Sequence, residues 1–288
     1  MNKQDAATLI DTSLESLYDA LKDGRNQTME RYLQATANFH RYSFRNVSMI
    51  YSQFPEATVV AGYNAWKKRG RWVKTGEKGI AIYAPMPFRK NDGTANNNAN
   101  GMTRSDDESE DVIGFRVVYV FDISQTDGEP IVELAPILGE PGHNLDVLMD
   151  IYRELEIKVT FTQLPDSVQG YSLGGEVRIS DDLTDREAFR VLVHELSHEL
   201  MHKEATFYRG TMKPLVETEA EAVAFVVSTA CGIDHLDRSA DYIALHQGDT
   251  KLLGESLARI HQTAARILVK IEQRVGDREY ERHQAHAA

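Results

Sequence analysis

The segment VLVHELSHELMH (191–202) contains a pattern that could hold a metal ion. His194 and His198 are four residues apart, so a helix would turn both imidazoles to the same side, where they can bind one ion. Glu195 is adjacent and could act as the catalytic general base, taking a proton from water and passing it to a leaving amine. The alternative is an amphipathic helix that carries two core or surface histidines.

Zinc held by two histidines needs a third ligand, and a second acidic helix can supply it. The segment VETEAEAVAFVV contains three glutamates, Glu217, Glu219 and Glu221. Glu217 and Glu221 share a helix face, whereas Glu219 is expected to point elsewhere. One of that pair could bind the metal while the other hydrogen-bonds a ligand imidazole. The longer HExxHxxGxxH pattern fails, because its last two positions hold Met201 and Glu204.

Together, HELSHELMH and ETEAEAVAF resemble the HExxH and ExxA(D/N/E) motifs of gluzincin-type zinc metallopeptidases, in particular the ImmA/IrrE group. The resemblance implies that Glu217 is the third metal ligand and that Glu221 supports a ligand histidine. It also implies an edge strand along the substrate, for which GGEVRIS (174–180) is the candidate. We expect one Zn²⁺ per chain, with Mn²⁺ or another divalent metal as the alternative. Three candidate donors to the oxyanion are left open: Tyr171, Tyr208 and His202.

A second signal is the charge of residues 41–90, which carry ten basic and two acidic residues in a chain of net charge −12. Such a local excess of positive charge indicates a surface for a polyanion. Single-stranded DNA is bound by cations interleaved with aromatic rings on which bases stack. The predicted DNA-binding residues are Trp66, Lys67, Lys68, Arg69, Arg71, Trp72, Lys74 and Lys78. The alternatives are core packing for the tryptophans and a solvated basic face for the cations.

The frame YSFRNVSMIYSQFPEATVVAGYNAWKKRGRWVKTGEKG, with the later VFDISQT, resembles the N-terminal single-stranded-DNA-binding domain of the ArdC antirestriction family. With the HExxH half, the resemblance covers roughly residues 5–235. It implies a protein that binds single-stranded DNA, protects incoming plasmid or phage DNA in the host, and carries a zinc-dependent peptidase centre. Its protein substrate, such as a restriction or regulatory protein, is not identified. Two alternatives are a non-proteolytic DNA-binding protein with a structural metal site, and a regulatory protease that cleaves a repressor.

Hydrophobic periodicity supplies the elements that must position these residues. It predicts an α+β fold with two domains, 1–125 and 143–288, joined by a linker (126–142). The resemblance implies that the first, helical and β-stranded domain binds DNA and that the second is a gluzincin-like metallopeptidase domain with the HExxH helix. The Asn-rich, acidic stretch at about 90–111 offers little to bury and is predicted to be a disordered loop.

The single cysteine, Cys231, excludes an internal disulfide and is expected to be a small core residue. The apolar runs are too short to span a bilayer, and the N-terminus lacks the apolar region of a secretory signal. These features predict a cytoplasmic protein without a membrane partner. The oligomeric state is left open.

Overall fold

The structure, a computed structural model, describes residues 2–86, 114–130, 141–202, 213–233, 242, 245 and 249–287. Helices and strands both contribute, which confirms the predicted α+β class. The predicted loop at 90–111 and most of the predicted linker lie outside the described residues.

The N-terminal half begins with three helices and ends in short strands. Its elements are α1 (Lys3–Lys22), α2 (Asn26–Asn38), α3 (Phe44–Gln53), β1 (Val60–Gly62), α4 (Tyr63–Lys68), β2 (Arg71–Val73), β3 (Ile80–Met86), β4 (Gly114–Asp122) and β5 (Thr126–Gly128). Strands β1, β4 and β3 form one antiparallel sheet in that order, and β2 pairs with β5. Because β5 pairs with β2, the N-terminal fold extends beyond the predicted end at residue 125.

Two side-chain amides of α3 hydrogen-bond the edge strand β3. The Asn46 amide nitrogen donates to the Tyr83 carbonyl and its oxygen accepts from the Tyr83 N–H, at 2.9 and 2.8 Å. Gln53 makes the same pair of bonds with the backbone of Ala81, at 2.9 and 3.0 Å. The two amides thus occupy backbone groups that would otherwise be open to another strand. These hydrogen bonds give Asn46 and Gln53 of the YSFRNVSMIYSQ segment a structural role.

The VFDISQT segment fixes the basic turn between β2 and β3. The buried Asp122 carboxylate accepts the N–H groups of Thr58 and Val59 at 2.7 and 3.0 Å. Three residues on, the Gln125 amide donates to the Lys78 carbonyl and to the Glu77 carboxylate, both at 2.9 Å. The turn is therefore held in place from β4 and its C-terminal extension.

The C-terminal half contains a small sheet with helices packed around it. Its elements are α5 (Pro141–Glu154), β6 (Lys158–Thr162), β7 (Gly170–Ser172), β8 (Glu176–Ser180), α6 (Asp185–Met201), α7 (Lys213–Ala230) and α8 (Thr250–Ala287). Strand β8 pairs in parallel with β6 and antiparallel with β7, so it is the central strand. The prediction that GGEVRIS is the edge strand is therefore wrong. The strand at the edge, next to α6, is β7.

The hydrophobic core does not separate the two predicted domains. Leu17, Leu21 and Met29 of α1 and α2 are buried in the same cluster as the apolar faces of α5 to α8. Smaller clusters lie on the N-terminal sheet. The predicted boundary is therefore wrong as a division between two independent cores, because the first two helices belong to the C-terminal one. Cys231 is fully buried in this cluster, as predicted.

Within the described parts of the chain, no helix has both the length and the apolar character needed to cross a membrane.

Candidate metal centre and nucleic-acid surface

The motif helix α6 begins at a capping box and packs its apolar side into the core. The Thr184 hydroxyl accepts the Glu187 N–H, and the Glu187 carboxylate accepts the Thr184 N–H at 2.9 Å. Phe189, Leu192 and Leu196 are fully buried. With that side anchored, the polar side of α6 is turned toward α7 and β7.

His194, His198 and Glu217 converge in the manner of metal ligands. The two histidine Nε2 atoms are 3.1 Å apart, and they lie 3.5 and 3.6 Å from Glu217 Oε2. Donors around a tetrahedral zinc are separated by roughly 3.3 Å, given metal–ligand bonds of about 2.0–2.2 Å. The donor set of two imidazoles and one carboxylate fits such an ion, and these three residues form a candidate metal-binding group. Hydrogen bonds from the two histidines hold the pKa of Glu217 far below its ordinary value.

Glu195 lies beside this triangle and is almost completely buried. Burial raises the pKa of its carboxyl group, and Glu217 raises it further, whereas His194, His198 and the Ser172 backbone lower it. The net shift is upward. A carboxylate that holds a proton more readily than usual is suited to proton transfer near neutral pH.

Each candidate ligand histidine has a partner behind it. His194 Nδ1 lies 3.4 Å from Glu221 Oε2, and Arg190 donates to Glu221 Oε1 at 2.5 Å. Glu221 thus occupies the supporting position predicted for it. His198 Nδ1 instead lies 3.2 Å from the Nδ1 of His202.

Glu219 was expected to point elsewhere, but it lies behind His202. Its Oε2 is 3.1 Å from His202 Nε2, and its Oε1 accepts a hydrogen bond from Arg259 of α8. Burial raises the pKa of Glu219, but hydrogen bonds from His202, Arg259 and Ser256 outweigh it and lower the pKa overall. Sequence reasoning missed Glu219 and Arg259, and the only local signal was the histidine one turn beyond the motif.

A cleft crosses the candidate metal site on both sides. One part, with a volume of about 590 Å³, extends toward residues 166–169, and the other, of about 560 Å³, extends toward residues 171–174. Both are lined by Gly170, His194, Glu195 and Glu217. The cleft therefore follows the edge strand β7 and passes over the triangle of donors.

Two residues fix β7 against α6. A Cβ at Gly170 would lie 2.6 Å from Val191 Cγ1 and 3.4 Å from Glu195 Oε1, so the close approach requires glycine. The buried Glu199 accepts the N–H groups of Gly174 and Gly175, both at 2.9 Å, and the Ser172 hydroxyl. Glu199, which sequence reasoning missed, therefore anchors the turn that follows β7.

The three predicted oxyanion donors fare differently. Tyr171 is the cross-strand partner of Arg178 and lines the part of the cleft that extends toward residues 171–174. Both ring nitrogens of His202 face His198 and Glu219. The geometry therefore contradicts the donor role for His202, whereas the donor role for Tyr171 stays a prediction. Tyr208 lies outside the described residues.

The predicted DNA-binding residues divide into structural and exposed groups. Trp66 is completely buried and its indole N–H donates to the Phe121 carbonyl at 2.8 Å, so it cannot stack on a base. The Arg71 guanidinium hydrogen-bonds the Thr126 hydroxyl and the carbonyls of β5 and Glu129. Both assignments to DNA are therefore wrong, because the fold itself uses these groups.

The other predicted residues reach the surface. Trp72 is 55% exposed, and Lys67, Lys68, Arg69, Lys74 and Lys78 are exposed as well. Arg69 lies over the Trp66 ring, 5.7 Å from its centroid. Lys74 donates to the Ser124 carbonyl at 2.8 Å. Contact of these residues with a polyanion stays a prediction.

Sequence reasoning missed several exposed aromatic side chains in the same half. Tyr63, Phe115 and Tyr119 are each at least half exposed. A Cβ at Gly79 would lie 2.9 Å from the Tyr119 Cβ, so Tyr119 borders the turn that carries Lys78. Period-two alternation in GFRVVYVF could have identified the two on β4, because alternate strand residues face the same side.

Residues 2–121 match the family model described as the N-terminal domain of anti-restriction factor ArdC. The predicted resemblance to the ArdC family is thus confirmed over the N-terminal part of the chain. The resemblance of the C-terminal half to the ImmA/IrrE group stays a prediction.

Most of the chain is also similar to individual proteins. The Mn(II)-bound crystal structure of the antirestriction ArdC protein from plasmid R388 matches with a TM-score of 0.53 and 17% identity, over 90% of this chain and 97% of that one. The metal-free structure of the same protein matches with a TM-score of 0.49 and 18% identity, over 82% and 86%. At such identities, the Mn(II)-bound match shows a shared fold.

A curated relative is the uncharacterized protein pXO2-81 of Bacillus anthracis, 25% identical over 85% of this chain. The match covers 48% of that protein, so this chain spans about half the length of its relative.

Proposed function

We propose that this chain is an ArdC-type antirestriction protein that binds single-stranded DNA and carries a metal-dependent peptidase centre. The observation that carries the peptidase part is the triangle of His194, His198 and Glu217 beside Glu195, on the floor of a cleft. A purely structural zinc site is closed by four protein ligands, whereas a hydrolytic site keeps a position open. Here three donors converge and the cleft opens directly beside them.

His194, His198 and Glu217 would hold one divalent cation, which we propose to be zinc. The Mn(II) bound by the R388 protein makes manganese the alternative. Such an ion supplies Lewis-acid chemistry that lowers the pKa of water from about 15.7 to about 7.

The protein groups then carry out the proton transfers. Glu195 takes the proton of the attacking water and delivers it to the leaving amine, a role that its raised pKa favours. Glu221 and Arg190 hold the His194 ring through its other nitrogen. Strand β7 presents its outer edge to the cleft, where an extended peptide could add as a further strand.

Single-stranded DNA is the proposed polyanion. The support is the family match over residues 2–121, together with exposed cations and aromatic rings around the turn at residues 74–79. Bases would stack on Trp72 while phosphates pair with Lys67, Lys68 and Lys78.

The test compares three chains: wild type, Glu195→Gln and Glu217→Ala. The measurements are metal content, binding of a labelled oligothymidylate, cleavage of denatured fluorescent casein and of denatured host proteins, and protection of incoming DNA in a restricting host. Glu195→Gln should retain metal binding and DNA binding, because the Glu195 carboxylate contacts neither the metal nor the DNA. The same variant should no longer cleave the substrate proteins. Glu217→Ala should lose metal and cleavage while still binding DNA.

The outcomes separate the parts of the proposal. Cleavage by Glu195→Gln at the wild-type rate would overturn the catalytic assignment. Absence of cleavage by wild type, with full protection by Glu195→Gln, would favour a DNA-binding protein whose metal site is structural. Absence of oligothymidylate binding by wild type would overturn the DNA part.

A further inference from the structure

His198 is connected to α8 by a row of side chains, of which the two in the middle are buried. Its Nδ1 meets His202 Nδ1 at 3.2 Å, His202 Nε2 meets Glu219 Oε2 at 3.1 Å, and Arg259 hydrogen-bonds the other oxygen of Glu219. The His202 side chain is 8% exposed and that of Glu219 is 1% exposed. A carboxylate this deeply buried is costly unless it is paired, and here both of its oxygens have partners.

Metal binding by His198 determines which atom donates in each hydrogen bond from His198 to Glu219. A ligating Nε2 of His198 must offer its lone pair, so its Nδ1 carries the proton and donates to His202 Nδ1. His202 then carries its proton on Nε2 and donates it to Glu219. The negative charge of Glu219 is balanced by Arg259. No donor faces a donor, so one hydrogen-bond arrangement gives a partner to His198 Nδ1, to both nitrogens of His202 and to both oxygens of Glu219.

The partner of the other histidine ligand makes a useful comparison. His194 Nδ1 faces the Glu221 carboxylate directly, and Arg190 pairs with that carboxylate. At His198, the His202 ring lies between the ligand and its carboxylate. Helix α7 therefore supplies the ligand Glu217 and also a carboxylate for each histidine.

We propose that His202, Glu219 and Arg259 are positioning residues that fix the tautomer and ring orientation of His198 for metal binding. The inference rests on the proposed metal site, to which it adds a contribution from α8. Partners of this kind typically change metal affinity by about 10–100-fold. His202 acts through His198 and is itself neither a ligand nor an oxyanion donor.

The test measures the dissociation constants of Zn²⁺ and Mn²⁺ by competition with a chromophoric chelator, in the full-length chain. His202→Leu and Glu219→Gln should each weaken binding by about 10-fold or more. His202→Gln should recover part of the loss, because an amide can accept from His198 and donate to Glu219. Glu255→Gln, an exposed change on α8, is the control and should leave the affinity unchanged. Thermal unfolding with a chelator present checks that each variant is folded.

Two further readouts separate positioning from general support. The double variant His202→Leu, Glu219→Gln should bind the metal only slightly more weakly than either single variant. Glu219 acts on His198 only through His202, so the two losses of affinity should not add. The visible spectrum of the Co²⁺-substituted protein should change in His202→Leu. Wild-type affinity in folded Glu219→Gln and His202→Leu, or fully additive losses, would overturn the inference. Failure of wild type to bind Zn²⁺ or Mn²⁺ would instead overturn the proposed metal site.

Discussion

Replacing Gly170 with alanine should destabilise the protein and displace its proposed catalytic base. The new Cβ would lie 2.6 Å from Val191 Cγ1 and 3.2 Å from the Arg178 carbonyl oxygen. Since ordinary contacts begin near 3.4 Å, the strand must move away from α6 by close to an ångström. Overpacking of this kind costs about 1–3 kcal/mol. For a chain of this size, each kcal/mol lowers Tm by roughly 2–4 °C.

The same displacement affects the site, because the added methyl group also lies 3.4 Å from Glu195 Oε1. A misplacement of about 1 Å can reduce a catalysed rate by roughly 10²-fold. Thermal unfolding and casein cleavage measure the two effects. Gly62→Ala is the matched control, since nothing lies within 4 Å of its added Cβ and its φ is negative. Adding Val191→Ala should recover part of the stability lost in Gly170→Ala. Two results would contradict this reasoning: the same Tm for Gly170→Ala as for wild type, or no increase in Tm when Val191→Ala is added to Gly170→Ala.

Other predictions concern protonation and the DNA surface. Burial lowers the pKa of His194, but Glu217 and other carboxylates outweigh it and raise the pKa to about 9, so metal affinity should increase as pH rises toward 9, with proton release seen by calorimetry. Burial lowers the pKa of His261 to about 4, so the unfolded chain binds more protons between pH 6.5 and 4. The free energy of unfolding should therefore decrease by up to about 3 kcal/mol as the pH is lowered from 6.5 to 4. Denaturant titration of His261→Leu should show a smaller decrease over the same range. Trp72→Ala should weaken oligothymidylate binding by about 1–3 kcal/mol without loss of stability, whereas Trp66→Ala should cost about 3–5 kcal/mol of stability. Equal behaviour of the two tryptophan variants would contradict this assignment.

The parts of the site that depend on helix period were predictable from the sequence. His194, His198 and Glu217 meet because positions four apart share a helix face and because a carboxylate from another helix completes the set. The helix period also explains why the role of Glu219 was missed. Glu219 is two positions from Glu217 and therefore lies on another face of α7. Only the packing of α7 against α8 brings Arg259 next to it.

The composition of the basic segment could not distinguish a surface cation from a structural one. Arg71 and Trp66 lie among residues of the same types as Lys67 and Trp72, but long-range partners on β4 and β5 determine their roles. The strand order β6, β8, β7 could not be predicted either, because the alternation of apolar and polar residues within one strand does not indicate which strands it pairs with. The shared core of α1, α2 and the C-terminal helices was missed because an apolar helix face does not specify what covers it.

The contact between α1 and α8 has a consequence for biosynthesis. Leu14 of α1 packs near Gly254 of α8, and Leu17 and Leu21 are buried in the cluster that includes Leu257. A ribosome adds about 5–20 residues per second, so the first helix emerges on the order of ten seconds or more before the helix that covers it. During that interval its apolar face is without its final cover, and chaperones that hold nascent chains have time to bind it. The N-terminal half, although synthesised before α8, is completed only when α8 docks.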